Sequence, residues 1–201
     1  MNRWRACADQ LAAHPWVARA AACADGAVVL PAAAGVEALR LRGRQALVDA
    51  WQDWLAERGT PAPIAWRLCD AWDIDAESAL RQPLPSEAVV ESEHAGADGS
   101  HELSLRLPLD LACFADHFPA LPVLPGVLQL QWALAFGTAR LGTPPACRRM
   151  EMLKFQNVLR PGDRPVLRLR HDAAARRLHF AYRLGATDAS SGRFAWEEDV
   201  A

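Results

Sequence analysis

The segment FADHFPALPVLPGVLQLQWALAFG, residues 114–137, holds the side chains best suited to chemistry. His117 suits a general base, because imidazole titrates near working pH and can take a proton there. Pro125 fits the first turn of a helix, where its missing N–H costs nothing. Gly126 beside it lets a carbonyl oxygen approach an unpaired backbone N–H at the positive end of that helix. Phe114, Phe118, Pro119, Leu121, Val123, Leu124, Pro125 and Leu128 offer an apolar lining that suits an acyl chain. Base, carbonyl donor and apolar lining together describe proton abstraction beside an acyl carbonyl. Each residue also has a plainer reading. A lone histidine is usually structural, Gly126 could serve packing alone, and the phenylalanines and leucines are core residues first.

These residues need elements to position them. Residues 125–141 read as one helix, apolar nearly all round and therefore expected to be buried on all sides. Residues 88–95 and 101–109 alternate as antiparallel strands across an Asp98-Gly99 turn. Four more strand-like stretches follow at 147–158, 164–172, 177–185 and 190–199. One buried helix among six antiparallel strands predicts a curved sheet wrapped around that helix.

The motifs His-Phe-Pro (117–119), Pro-Gly (125–126), Lys-Phe (154–155) and Pro-Gly-Asp (161–163) occur in a fixed order. In this order they resemble hotdog-fold 3-hydroxyacyl-[acyl carrier protein] dehydratases, over residues 87–201. The resemblance implies an α+β chain, a hotdog domain with a small N-terminal α/β unit before it. It also implies a hydro-lyase of fatty acid, polyene or polyketide-type biosynthesis. Such an enzyme needs a base for the α-proton, donors for the enolate-like oxygen, and an acid for the departing hydroxyl. His117 would be the base and the Gly126 N–H the carbonyl donor. The family's sites are built between two protomers, so a homodimer or higher assembly is expected. The substrate partner is an acyl carrier protein or an acyl-CoA thioester. A carrier protein is acidic, and Arg148, Arg149 and Arg160 are candidates to attract it.

Two departures from the family pattern bear on activity. Asp116 replaces the glycine before the histidine. Gln131 occupies the position of the family acid, fourteen residues after His117. A carboxamide can hydrogen-bond a hydroxyl but cannot protonate it at useful rates. Losing general acid help typically costs about 10²–10⁴-fold. Asp116 and Glu151 are the carboxylates that could stand in. Two function classes therefore stay open: a dehydratase, or a non-catalytic or repurposed hotdog protein that binds acyl thioesters. A hotdog thioesterase is a further alternative.

Six of the eight tryptophans precede Asp73, and Arg81-Gln82-Pro83-Leu84-Pro85-Ser86 reads as a linker. The chain thus divides into residues 1–82 and 87–201. In the first part, 4–13 and 36–58 read as helices, with Leu47, Trp51, Trp54 and Leu55 as the apolar stripe of the second and Gly59 as its cap. Residues 17–24 and 27–31 form a strand pair, and 64–72 another strand. Residues 14–81 are similar to the C-terminal lid of acyl- and aryl-adenylating ligases. Where that lid carries a Gly-Lys-Leu turn, this chain has Ser78, Ala79 and Leu80, and Lys154 is its only lysine. The resemblance therefore implies a degenerate unit that adenylates nothing by itself.

Bulk composition narrows the field. A net charge of −2 with no basic run argues against nucleic acid as a partner. The five cysteines are scattered without a Cys-x-x-Cys, and the six histidines are equally dispersed. They predict buried thiols in a reducing cytoplasm, no metal site and no cofactor. Residues 123–136 are the most apolar run. They are too short to span a membrane and include Gln129 and Gln131.

Overall fold

The computed structural model describes residues 3–72 and 75–196. Its strands fall into two sheets, and the chain passes between two compact units. The first unit contains the residues up to Ser86 together with Pro108–Val123 and Arg160–Gly162. The second contains Glu87–Leu107, Leu124–Leu159 and the residues from Asp163 onward.

In the first unit, α1 (Arg3–Ala12) leads into the hairpin β1 (Val17–Cys23) and β2 (Gly26–Pro31). Helix α2 (Ala33–Ala56) then crosses over, so that β3 (Trp66–Leu68) lies parallel to β2. The short α3 (Ala76–Arg81) has its first turn capped by Asp75, whose Oδ1 accepts the Ser78 N–H at 2.9 Å. The expected stripe of α2 is present. Leu47, Trp51 and Leu55 are buried, and Trp51 stacks on Trp66 with ring centroids 5.6 Å apart. Past its end, Gly59 donates to Ala56 and Thr60 donates to Leu55, a left-handed glycine cap as expected. The strand expected over 64–72 is shorter, because Asp70 turns its carboxylate to the Leu109 N–H, 3.1 Å away.

The second unit is a six-stranded antiparallel sheet and one long helix. The strands are β4 (Val89–Ala95), β5 (Ser100–Arg106), β6 (Arg149–Phe155), β7 (Val166–Asp172), β8 (Arg177–Leu184) and β9 (Thr187–Ala195), in the order β4-β5-β7-β8-β9-β6. Alternation drives the sheet: Leu167 and Leu169 are buried while Arg168 and Arg170 between and beyond them are exposed. Leu178, Phe180 and Tyr182 line the same core from β8. Numbering in chain order, α4 is Cys113–Asp116 in the first unit and α5 is Gly126–Leu141 in the second. Gly137 brings α5 close to β8, where an added Cβ would overlap Leu178. Gly142, in the left-handed conformation at φ 65°, ends the helix.

Helix α5 departs from expectation in one respect. It is not buried on all sides, for Val127, Gln131, Ala135 and Ala139 are exposed along one face. Their spacing of four residues keeps them on one side of the helix, while Gln129, Trp132, Ala133 and Gly137 face inward. High apolar content hid this polarity, because the outward face is itself largely apolar. Among the described residues, no helix is long and apolar enough to cross a membrane.

Candidate functional site

The His117 loop is part of the first unit. Helix α4 is a single turn, and the chain leaves it at His117, whose N–H reaches the Cys113 carbonyl at 2.9 Å. His117 itself is extended, at φ −95° and ψ 99°. Phe118 then takes φ 55°, a left-handed conformation that costs a bulky residue about 1–3 kcal/mol. Pro119 follows as the second residue of a turn closed by Leu121 N–H to Phe118 O at 2.7 Å. This strained corner sets the Phe118 ring edge-on to the His117 imidazole, with centroids 4.4 Å apart.

The imidazole is half-buried, and its Nδ1 lies 3.2 Å from the Val123 carbonyl oxygen. A carbonyl oxygen only accepts, so the proton of the neutral ring sits on Nδ1. That leaves the lone pair on Nε2, the atom that would act as base. Asp116 is exposed at the end of α4. Burial pushes the Cys113 thiol up to about 11, which keeps it protonated at neutral pH and removes it as a nucleophile. Phe114 is buried under the loop, whereas Phe118 and Pro119 are exposed.

The helix start belongs to the second unit. Leu124 N–H bonds to Leu159 O at 2.7 Å, and Pro125 (φ −55°, ψ 137°) takes the capping position with no side-chain bond. Gly126 is thus the first helical residue, where N–H groups have no acceptor within the helix. The Phe155 ring packs on Gly126 so closely that an added Cβ would lie 2.8 Å from its Cε1. The packing reading of Gly126 thus has its partner in Phe155. Leu124 is buried and Leu128 half-buried.

The two glutamines of α5 diverge, because two residues of helix turn a side chain by about 200°. Gln129 is buried. Its Oε1 accepts Ser190 Oγ–H at 2.5 Å, its Nε2 donates to Leu124 O at 3.2 Å, and its own carbonyl accepts the Tyr182 hydroxyl at 2.9 Å. Gln131 faces outward, where with Leu134, Ala135, Thr138, Ala139 and Pro145 it lines a shallow depression of about 450 Å³. Glu151 has its oxygens engaged by Arg193 at 2.6 Å, Arg149 at 3.2 Å and Arg177 at 3.5 Å. Arg160 donates to the Arg40 carbonyl at 2.9 Å within the first unit. Sequence reasoning missed Phe155 as a neighbour of Gly126, and Ser190 and Tyr182 as partners of Gln129. A buried glutamine in an apolar helix was the available signal, since such a side chain must find partners.

Residues 92–193 match the ApeI-like family, described as ApeI dehydratase. The chain belongs to this family. The ApeI:P dehydratase heterocomplex from Xenorhabdus doucetiae contains a chain similar to it at 31% identity, covering 54% of this chain and 96% of that one, with a TM-score of 0.51. An uncharacterized protein from Erwinia carotovora subsp. atroseptica is 30% identical, covering 57% and 99%, with a TM-score of 0.46. The comparison with curated proteins returns no match. The six antiparallel strands and long helix are thus the expected hotdog dehydratase fold, and an N-terminal α/β unit accompanies them. For residues 14–81 these comparisons give no evidence of an adenylating-ligase lid, and the ApeI-like match begins only at residue 92.

Proposed function

We propose that the chain is a 3-hydroxyacyl thioester dehydratase of fatty acid, polyene or polyketide-type biosynthesis. His117 Nε2 takes the α-proton, and the Gly126 N–H binds the thioester carbonyl as its oxygen gains charge. The C–H electron pair becomes the new C=C bond. The β C–O bond breaks, and the hydroxyl departs as water by gaining the proton that His117 Nε2 has taken. Gln131 stands where the resemblance to hotdog 3-hydroxyacyl-[acyl carrier protein] dehydratases places the acid, and it can hold the hydroxyl by a hydrogen bond only. The bond between His117 Nδ1 and the Val123 carbonyl carries the reading, because it reserves Nε2 for the substrate.

Substrate would arrive on an acyl carrier protein or on coenzyme A. Strand β6 is the last strand of its sheet and leaves Met150, Met152 and Phe155 exposed, which supports pairing with a second hotdog chain. Residues 1–82, an αββαβα unit with Ser78, Ala79 and Leu80 inside α3, would then be an appendage that adenylates nothing by itself.

Gln131 favours a second reading, an acyl-thioester binder that acts beside an active dehydratase. The similar Xenorhabdus chain comes from a heterocomplex, which suits that arrangement. Dehydration of a 3-hydroxyacyl thioester separates the two. Gln131→Glu is expected to raise the rate by up to about 10²–10⁴-fold, and His117→Ala in that background to remove the gain. Thioester binding without any turnover in Gln131→Glu would make the binder reading correct. Sedimentation of the same preparation at twice the chain mass is the expected assembly.

A further inference from the structure

We propose that the N-terminal 86 residues are a positioning platform for the general base, acting through the bend of α2 at Gly43 and the Arg44–Asp110 ion pair. This rests on the reading of His117 as the base.

Helix α2 breaks midway, where Gly43 takes φ 81° and ψ 172°. The turn after His117 is seated in that break. A Cβ on Gly43 would overlap the Pro119 carbonyl oxygen and come within 2.8 Å of its carbon and 3.2 Å of Ala120 Cα. These are backbone atoms, so no side-chain adjustment relieves the overlap. Only glycine combines this close approach with the left-handed φ.

The adjacent residue holds the other side of the loop. Arg44 Nε donates to Asp110 Oδ1 at 2.6 Å, and Nη2 donates to the Trp66 carbonyl at 2.6 Å. Asp110 is buried, and its Oδ2 also accepts the Leu68 N–H at 2.9 Å. One carboxylate from the loop thus joins α2 to β3. Further bonds surround it: Leu109 N–H to Asp70 Oδ1 at 3.1 Å and Ala112 N–H to Pro85 O at 2.8 Å. Every partner named precedes residue 87. The loop's internal bonds shape its turns, but these contacts fix where the turns lie. Pro119, seated on Gly43, is two residues from the imidazole whose direction decides whether Nε2 meets the α-proton.

A platform predicts an effect on rate without a matching effect on binding, since misplacing a reacting group by about 1 Å can cost about 10²-fold. Gly43→Ala and Arg44→Lys are made in the full chain. The readouts are kcat and KM for 3-hydroxyacyl thioester dehydration, the ¹⁵N shifts of His117, and circular dichroism to confirm folding. Gly43→Ala is expected to lower kcat by about 10–100-fold with KM nearly unchanged. Its His117 spectrum should move from the Nδ1–H form toward a mixture of tautomers. Arg44→Lys keeps the charge but not the two-point hold, and should give a smaller change of the same kind. A folded Gly43→Ala protein with wild-type kcat and tautomer overturns the proposal. If Gly43→Ala does not fold, an unchanged rate and spectrum in Arg44→Lys overturn it equally. If the wild type shows no dehydration but the His117 spectrum still follows Gly43, the platform stands and the dehydratase reading falls.

Discussion

The loop of His117 hangs on a charged pair and a bare backbone approach, whereas the start of α5 is tied by neutral groups. In the first unit Asp110 accepts from a guanidinium and from a strand amide, and Gly43 admits a carbonyl where no side chain fits. In the second unit Gln129 exchanges hydrogen bonds with Ser190 and with the Leu124 carbonyl, and Gly126 lies under a phenylalanine ring that can shift. The difference teaches which of the two segments tolerates change. A buried charge leaves a large penalty when its partner is removed, while a neutral pair leaves only unpaired polar atoms. The Gly43 seat resists by backbone, and the Gly126 seat resists by a half-exposed side chain.

Asp110→Ala is the strongest way to test that contrast. It strands the Arg44 guanidinium and the Leu68 N–H in one step. The expected loss is about 3 kcal/mol, the low end for breaking a buried pair. The low end applies because Arg44 keeps a quarter of its side chain in water. Urea unfolding of the wild type and the variant measures it. A loss below that of the neutral network in the second unit would invert the comparison.

That neutral network supplies the next test. Gln129→Leu removes both the acceptor for Ser190 and the donor to Leu124, while the Tyr182 bond to the Gln129 carbonyl survives. Leaving two buried polar atoms unpaired is expected to cost about 1–3 kcal/mol. Because Leu124 leads directly into Pro125 and Gly126, the variant should also weaken thioester binding, seen as a raised KM. Unchanged stability together with unchanged KM would mean that Gln129 does not hold the helix start.

The strands of both units were legible because their pattern is local. Leu167-Arg168-Leu169-Arg170 alternates in and out as a half-buried strand must, and Gly59 marks the end of α2 by a rule that needs only the flanking residues. The His-Phe-Pro and Pro-Gly motifs likewise announced the hotdog fold. What stayed hidden depends on distant partners. Nothing near Asp110 in sequence points to Arg44, sixty-six residues away, so the grouping of Pro108–Val123 with the first unit had no local sign. Gly43 read as an ordinary residue of a long helix, because a glycine there costs only about 1 kcal/mol and tertiary contacts overrule it. The exposed face of α5 escaped because Val127 and Ala135 are apolar, and periodicity cannot separate a buried apolar face from an exposed one.

The smallest effect expected is the share of a pH dependence that arises in the second unit's sheet. His179 on β8 lies between Arg170 on β7 and Arg193 on β9. Burial holds its pKa below the ordinary value, those two guanidiniums and Arg177 lower it further, and Asp172 opposes them. A histidine with a lowered folded pKa is neutral in the sheet at a pH where the unfolded chain already binds a proton. Between the folded pKa and about 6.5 the unfolded state therefore holds more protons, and stability rises with pH across that window. The contribution is fully present above about 6.5 and is lost as the pH falls below it, levelling once the folded residue also protonates. His14 in the first unit is lowered too, by burial and by Arg58, so the wild type combines both slopes. His179→Gln should remove one share and leave the other. Urea midpoints at pH 7.5 and 5.5 read the difference: the wild type loses more on acidification than His179→Gln, by less than the cost of Gln129→Leu. Equal losses in the two proteins would mean that neither burial nor the flanking arginines hold the His179 imidazole below its ordinary pKa.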